Sequence, residues 1–80
     1  MRYLEYTGRR PGQPREIPDR ENLEALLRQN RHQELIRRIL EWKGEAEYEY
    51  FQTRWDLRPD EIQHAAESLE DVEIKNVNMT

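Results

Sequence analysis

The hydrophobic positions of the chain fall in short groups whose period changes along its length. Residues 2–6, "RYLEY", alternate and predict a short strand, with Tyr3 and Tyr6 long enough to pack on a core. Residues 7–18 contain two glycines and three prolines. Proline removes amide donors and glycine frees the backbone, so this stretch predicts an extended loop or arm. Asp19 suits a helix N-cap and Glu21 its first turn, and Leu23, Leu26 and Leu27 make one helical stripe. A polar interval, "RQNRHQE", separates it from a second stripe at Leu35, Ile36, Ile39 and Leu40. Leu27 and Ile36 are nine residues apart, about half a rotation out of phase at roughly 100° per residue. Residues 19–43 therefore read as two helices broken near Asn30, with Asn30 and Gln33 as a capping-box pair, or else as one long helix with an exposed middle.

Gly44 is a natural helix stop, since glycine enters the left-handed region without strain. Tyr48, Phe51 and Trp55 follow at helical spacing, although Tyr48-Glu49-Tyr50 alone also alternates like a strand. Pro59 fits the first position of a further helix, with Asp60 and Glu61 in its first turn and Ile62, Ala65, Ala66 and Leu69 on its buried face. Val72, Ile74 and Val77 alternate and predict a closing strand over 72–78. The expected fold is a single α+β domain over 1–80, predominantly helical. It has three to four short helices, a short N-terminal strand and a C-terminal strand.

The segment 48–69 resembles a helix-turn-helix, with Phe51, Trp55, Leu57, Ile62 and Ala65 at its apolar places. Asp56 stands where the turn glycine is usual, and Gln52 where a small residue is usual. With Leu35, Ile36, Ile39 and Leu40 as a support helix and "VEIKNVNM" similar to the first strand of a wing, residues 33–78 resemble a winged-helix domain. That resemblance implies a second helix presenting Arg58, Asp60, Gln63, His64 and Glu67 outward.

Charge changes what such a surface is expected to do. The net charge is −4, but residues 1–44 carry ten basic and seven acidic side chains, whereas residues 45–80 carry three and ten. Arg58, Gln63 and His64 suit phosphates and base edges. The carboxylates Asp60, Glu61, Glu67, Glu70 and Asp71 around them oppose a duplex within a Debye length of about 8 Å. The expectation is a small non-enzymatic regulator or adaptor that meets a basic protein surface through its acidic C-terminal half, at Asp60, Glu61 and Glu67. Trp42 and Tyr50 fall off the main stripes and are the candidate anchors for a partner or a homodimer. The alternative is a DNA-binding regulator that places Arg58, Gln63 and His64 in a major groove. Its Arg9, Arg10 and Arg15 would form a basic arm for an A·T-rich minor groove.

Little else in the chain carries chemistry. There is no cysteine, and the single serine, Ser68, has no nucleophile motif around it. His64 lies between Asp60 and Glu67 on one helix face, the surroundings of a hydrated surface more than of a metal, and His32 has no nearby partner in sequence. No enzyme activity, cofactor or metal is expected. Apolar runs are too short to span a membrane, and "MRYLEYTGRR" lacks the apolar segment of a signal peptide, so a cytoplasmic protein is expected.

Overall fold

The computed structural model describes residues 1–8 and 17–77. Its elements are β1 (Arg2–Tyr6), α1 (Arg20–Arg28), α2 (His32–Lys43), β2 (Glu45–Glu47), α3 (Tyr48–Trp55), α4 (Pro59–Glu67) and β3 (Val72–Asn76). The three strands form one antiparallel sheet in the order β2-β1-β3, so β1 is central. The chain is thus an α+β domain of four helices and a three-stranded sheet. No described helix is long and apolar enough to cross a membrane.

The register sorts the strand residues onto two faces, because directly opposed residues point the same way. Leu4 lies opposite Ala46 and Ile74, and Tyr6 opposite Val72. This face joins the core, in which Leu4, Leu35, Ile36, Ile39, Leu40, Phe51 and Ile62 are completely buried. The helices contribute the stripes read above: Leu23 and Leu26 from α1, four residues from α2, Tyr48, Phe51 and Trp55 from α3, and Ile62, Ala65 and Ala66 from α4. Every buried residue among those described is hydrophobic. Of the two tyrosines expected on the core, Tyr6 packs there; Tyr3, one residue out of phase with Leu4, lies on the opposite face.

Three chain reversals follow from left-handed residues. Helices α1 and α2 are separate, and the break is made by Asn30 at φ 58°. The Arg31 amide donates to the Leu26 carbonyl (2.9 Å) and the Asn30 amide to the Leu27 carbonyl (3.1 Å), the two bonds of a Schellman motif. Asn30 therefore terminates α1 instead of capping α2. The α2 N-cap is Arg31, without a side-chain cap bond, so the expected Asn30–Gln33 capping box does not form. Gly44 (φ 84°) ends α2, and Asp56 (φ 56°, ψ 35°) ends α3, where the Leu57 amide donates to the Phe51 carbonyl at 3.1 Å. At the other helix ends Asp19 accepts from the Glu21 amide (3.0 Å), and Pro59 opens α4 as its sequence implies.

Two boundaries differ from the sequence reading. Glu45–Glu47, to which the sequence pattern assigns no strand, is a strand, because pairing with β1 satisfies its backbone while Ala46 enters the core. β3 ends at Asn76, and residues 78–80 lie outside the described residues, as do residues 9–16 with the basic arm.

Two stability measurements follow. Asp56→Val should cost about 1–2 kcal/mol, because a β-branched side chain resists the left-handed region, whereas Asp56→Gly should be neutral or stabilising; urea denaturation distinguishes them. The Tyr48 hydroxyl is buried with no hydrogen-bond partner among the described residues, and burial raises its pKa above the ordinary 10.0. The folded state then holds that proton where the unfolded chain releases it. Its contribution is complete below about pH 10, the unfolded value, and is lost as pH rises above it through the raised pKa of the folded state. Tyr48→Phe should match or exceed the wild type by up to about 1 kcal/mol at neutral pH and lose less stability under alkali, as followed by thermal melts from neutral to alkaline pH.

Candidate functional site

The face of the sheet opposite the core carries Tyr3, Glu5, Glu45, Glu47, Glu73 and Lys75, none of them buried, and is strongly acidic. Strand parity that sends Leu4 and Ala46 inward sends their neighbours outward. Glu5 consequently lies between Glu45 on β2 and Glu73 on β3, and Tyr3 between Glu47 and Lys75. Three carboxylates in one cross-strand row repel one another, at a cost of up to about 1 kcal/mol for each directly opposed pair. Lys75 is the one described cation on this face, with its Nζ 2.9 Å from Glu73 Oε2. The hydrogen bond and charge of Glu73, followed by the charge of Glu5, raise the pKa of the Lys75 ammonium. None of these glutamates was singled out from the sequence. Each looks like an ordinary solvated charge until the register puts them side by side.

A second feature is an open cleft of about 570 Å³ between the α1–α2 turn and the first turns of α4. Asn30, Arg31, His32 and Glu34 line one wall, and Asp60, Glu61 and His64 the other. Glu61 joins the walls. Its Oε1 accepts from the Arg58 amide at 3.1 Å, closing the N-terminus of α4, while its Oε2 lies 3.3 Å from His32 Nδ1. His32 thus has a partner that lies 29 positions away in sequence, which corrects the reading of an isolated histidine. Arg31 pairs with Glu34 on the same wall. Among the described residues no group of three or more His, Cys, Asp or Glu side chains is arranged to hold a metal ion.

The aromatic candidates gather at the other end of α2, about 16 Å from His32 at 1.5 Å per helical residue. Lys43 Nζ lies 4.9 Å from the Trp42 ring centre and 4.8 Å from that of Tyr50, within cation–π range of both. Trp55 Nε1 donates to the Tyr50 hydroxyl at 3.3 Å, and the Tyr50 ring meets Phe51 edge-on at 5.3 Å. Trp42 and Tyr50 are both half-buried, with their remaining surface open to solvent.

The remaining candidates are divided. Asp60, Glu61 and His64 share the cleft, and Arg58 is the exposed N-cap of α4. Gln63 Nε2 donates to Glu67 at 3.0 Å, and its Oε1 accepts from Arg2 at 3.4 Å, so both ends of this amide are engaged within the molecule. Arg2 also stacks over Tyr48 at 4.7 Å. Arg37 on α2 bridges Glu41 (3.6 Å) and Asp71 (3.1 Å). Arg9, Arg10 and Arg15 lie outside the described residues. Comparison of the chain with protein-family models, curated proteins and solved structures gives no match.

Because Glu61 closes a helix end and reaches His32, Glu61→Ala should destabilise the domain by about 1–2 kcal/mol. Glu61→Gln keeps an acceptor for the Arg58 amide and should lose less than half of that. Chemical denaturation at neutral pH measures both, and equal losses would show that the cap contributes nothing.

Proposed function

We propose that this protein is a small non-enzymatic regulator or adaptor that works by protein–protein contact, with an acidic surface that meets a basic partner. One observation carries the reading: Glu5 sits between Glu45 and Glu73 on an open sheet face that also carries Glu47. Such a row works against sheet stability. A cationic partner surface would relieve the repulsion on binding, so the unfavourable term in the free protein becomes a favourable one in the complex. Asp60 and Glu67 put further carboxylates on α4, on the core side of the sheet, while Trp42 and Tyr50 supply apolar area at the far end of α2. Complementary potentials of this kind act mainly on association rate and on the choice of partner.

The winged-helix resemblance enters here as part of the same reading. Helices α3 and α4, joined through Asp56 and Leu57 and followed by β3, are the elements that support it. In a DNA-binding use of that unit, α4 would bring Asp60, Glu61 and Glu67 to a phosphate backbone. Gln63 would also have to give up its bonds to Glu67 and Arg2. Both work against the groove-reading alternative.

The test is a titration with a lysine- and arginine-rich peptide and, separately, with mixed-sequence and A·T-rich duplexes at low and moderate salt. The peptide should bind, with affinity that falls as salt rises. Glu5→Gln/Glu45→Gln should weaken it roughly fivefold while raising the melting temperature. Salt-sensitive binding to the duplexes without binding to the peptide would replace this reading with the DNA-binding one.

A further inference from the structure

The sheet has two outer edges, on β2 and β3, and they differ in a way that bears on self-association. Natural edge strands are protected by shortness, proline, bulges or opposed charge. β2 has three residues, and pairing it with a second β2 about Ala46 would set Glu45 against Glu47 of the other copy. β3 has five residues in unbroken register with β1, without proline or bulge, and among the described residues no strand pairs with its outer edge.

The direction of the β3 hydrogen bonds follows from its neighbours. Met1 and Val77 exchange backbone bonds (3.1 and 2.9 Å), and the Thr7 amide donates to the Asp71 carbonyl at 2.8 Å. Odd-numbered residues of this segment therefore bond to β1. The alternation of an antiparallel ladder turns the amides and carbonyls of Val72, Ile74 and Asn76 toward the free edge.

We propose that two copies of this chain associate through antiparallel pairing of β3 with β3 about Ile74, giving a two-fold dimer with a continuous six-stranded sheet. In this register Ile74 meets Ile74 and exchanges both backbone bonds with it, and Val72 meets Asn76 of the other copy. Glu73 and Lys75 then face each other across the seam twice. They occupy non-hydrogen-bonded positions, where opposed side chains come closest. Within one chain these two side chains already pair at 2.9 Å, so the strand carries both halves of the complementary set. On the core side, Ile74 is 38% exposed although Leu4 beside it is fully buried, and the second copy's Ile74 covers that surface.

The charges also select the register. Sliding one strand by two residues keeps the backbone bonds but places Glu73 opposite Glu73, or Lys75 opposite Lys75, on the two-fold axis. Sliding by one residue breaks the match of outward-turned backbone groups and opposes the two faces. Pairing about Ile74 avoids both penalties and makes the contact isologous, so that it closes at two copies. The dimer shares Glu73 with the acidic row of the proposed function but does not involve Glu5 or Glu45, so Glu5→Gln/Glu45→Gln tests that reading without altering the seam.

Sedimentation velocity on the full chain from about 10 to about 500 µM should show a monomer–dimer equilibrium. Glu73→Lys and Lys75→Glu, each alone, should weaken the dimer about tenfold, and the double reversal should restore it to within about threefold of the wild type. Hydrogen exchange on the unmodified protein supplies a readout that no substitution can disturb: the Ile74 amide should become protected as concentration rises, while the Glu45 amide on the opposite edge should not. A monomer at every concentration overturns the proposal. So does a dimer that the double reversal fails to restore, or one in which the Ile74 amide exchanges as freely as in the monomer.

Discussion

The molecule depends on the pairing of β1 with two strands at once. β1 carries the one strand residue that is completely buried, Leu4, and it is bonded to β2 on one side and β3 on the other. The four helices lie in the sequence between β1 and β3, and α2, α3 and α4 pack against the sheet this pairing creates. In a chain with 38% charged residues the apolar surface suffices for one core, and β1 joins the two strands that line one side of it. The helices also pack on one another, α1 and α4 each against α2 and α3 against α4, and the sheet closes the cluster they form. Leu23 of α1 and Ile62 of α4 belong to distant parts of the chain but share this interior, with α2 packed against both helices.

The one-sidedness of the fold has the same origin. The inward-directed Leu4, Ala46 and Val72 are buried in the core with the helices, whereas none of the outward-directed strand residues is buried. The outward set is unusual in content: its carboxylates lie in adjacent strands at matching positions, where a sheet selected for stability alone would alternate charge or place β-branched residues. At the β3 edge the sign does alternate, from Glu73 to Lys75. The acidic row and the mixed edge therefore impose different requirements on whatever approaches them, although they share Glu73.

Most of the helices can be read from the sequence because their signals are local. Periodic leucine and isoleucine, Asp19, Gly44 and Pro59 act within one or two turns of where they stand. Asn30 shows where a local reading fails. It marks the break correctly, but the same side chain suits an N-cap or a left-handed exit, and only the carbonyls of Leu26 and Leu27 decide between them. β2 is harder, since Glu-Ala-Glu has no strand character of its own and becomes a strand only because β1 offers it hydrogen bonds. The contact between His32 and Glu61 and the glutamate row depend on how distant segments meet, and no period or cap in the sequence encodes that. The aromatic pair was legible as two rings off the main stripes; that Lys43 lies between them was not.

The position of β1 also has a consequence for the order of events when the chain folds. Both of its partners are remote, and β3 lies about 70 residues further along, so closing the sheet means closing loops that contain all four helices. Loop entropy grows only slowly with length, but it must be met before any strand contact stabilises the product. On a ribosome β1 leaves the exit tunnel well before β2 and long before β3. The helices can form as they emerge, whereas β1 waits with both edges open for its partners. Throughout that interval the central strand of the finished domain is its most exposed one, and chaperones or neighbouring nascent chains meet it first.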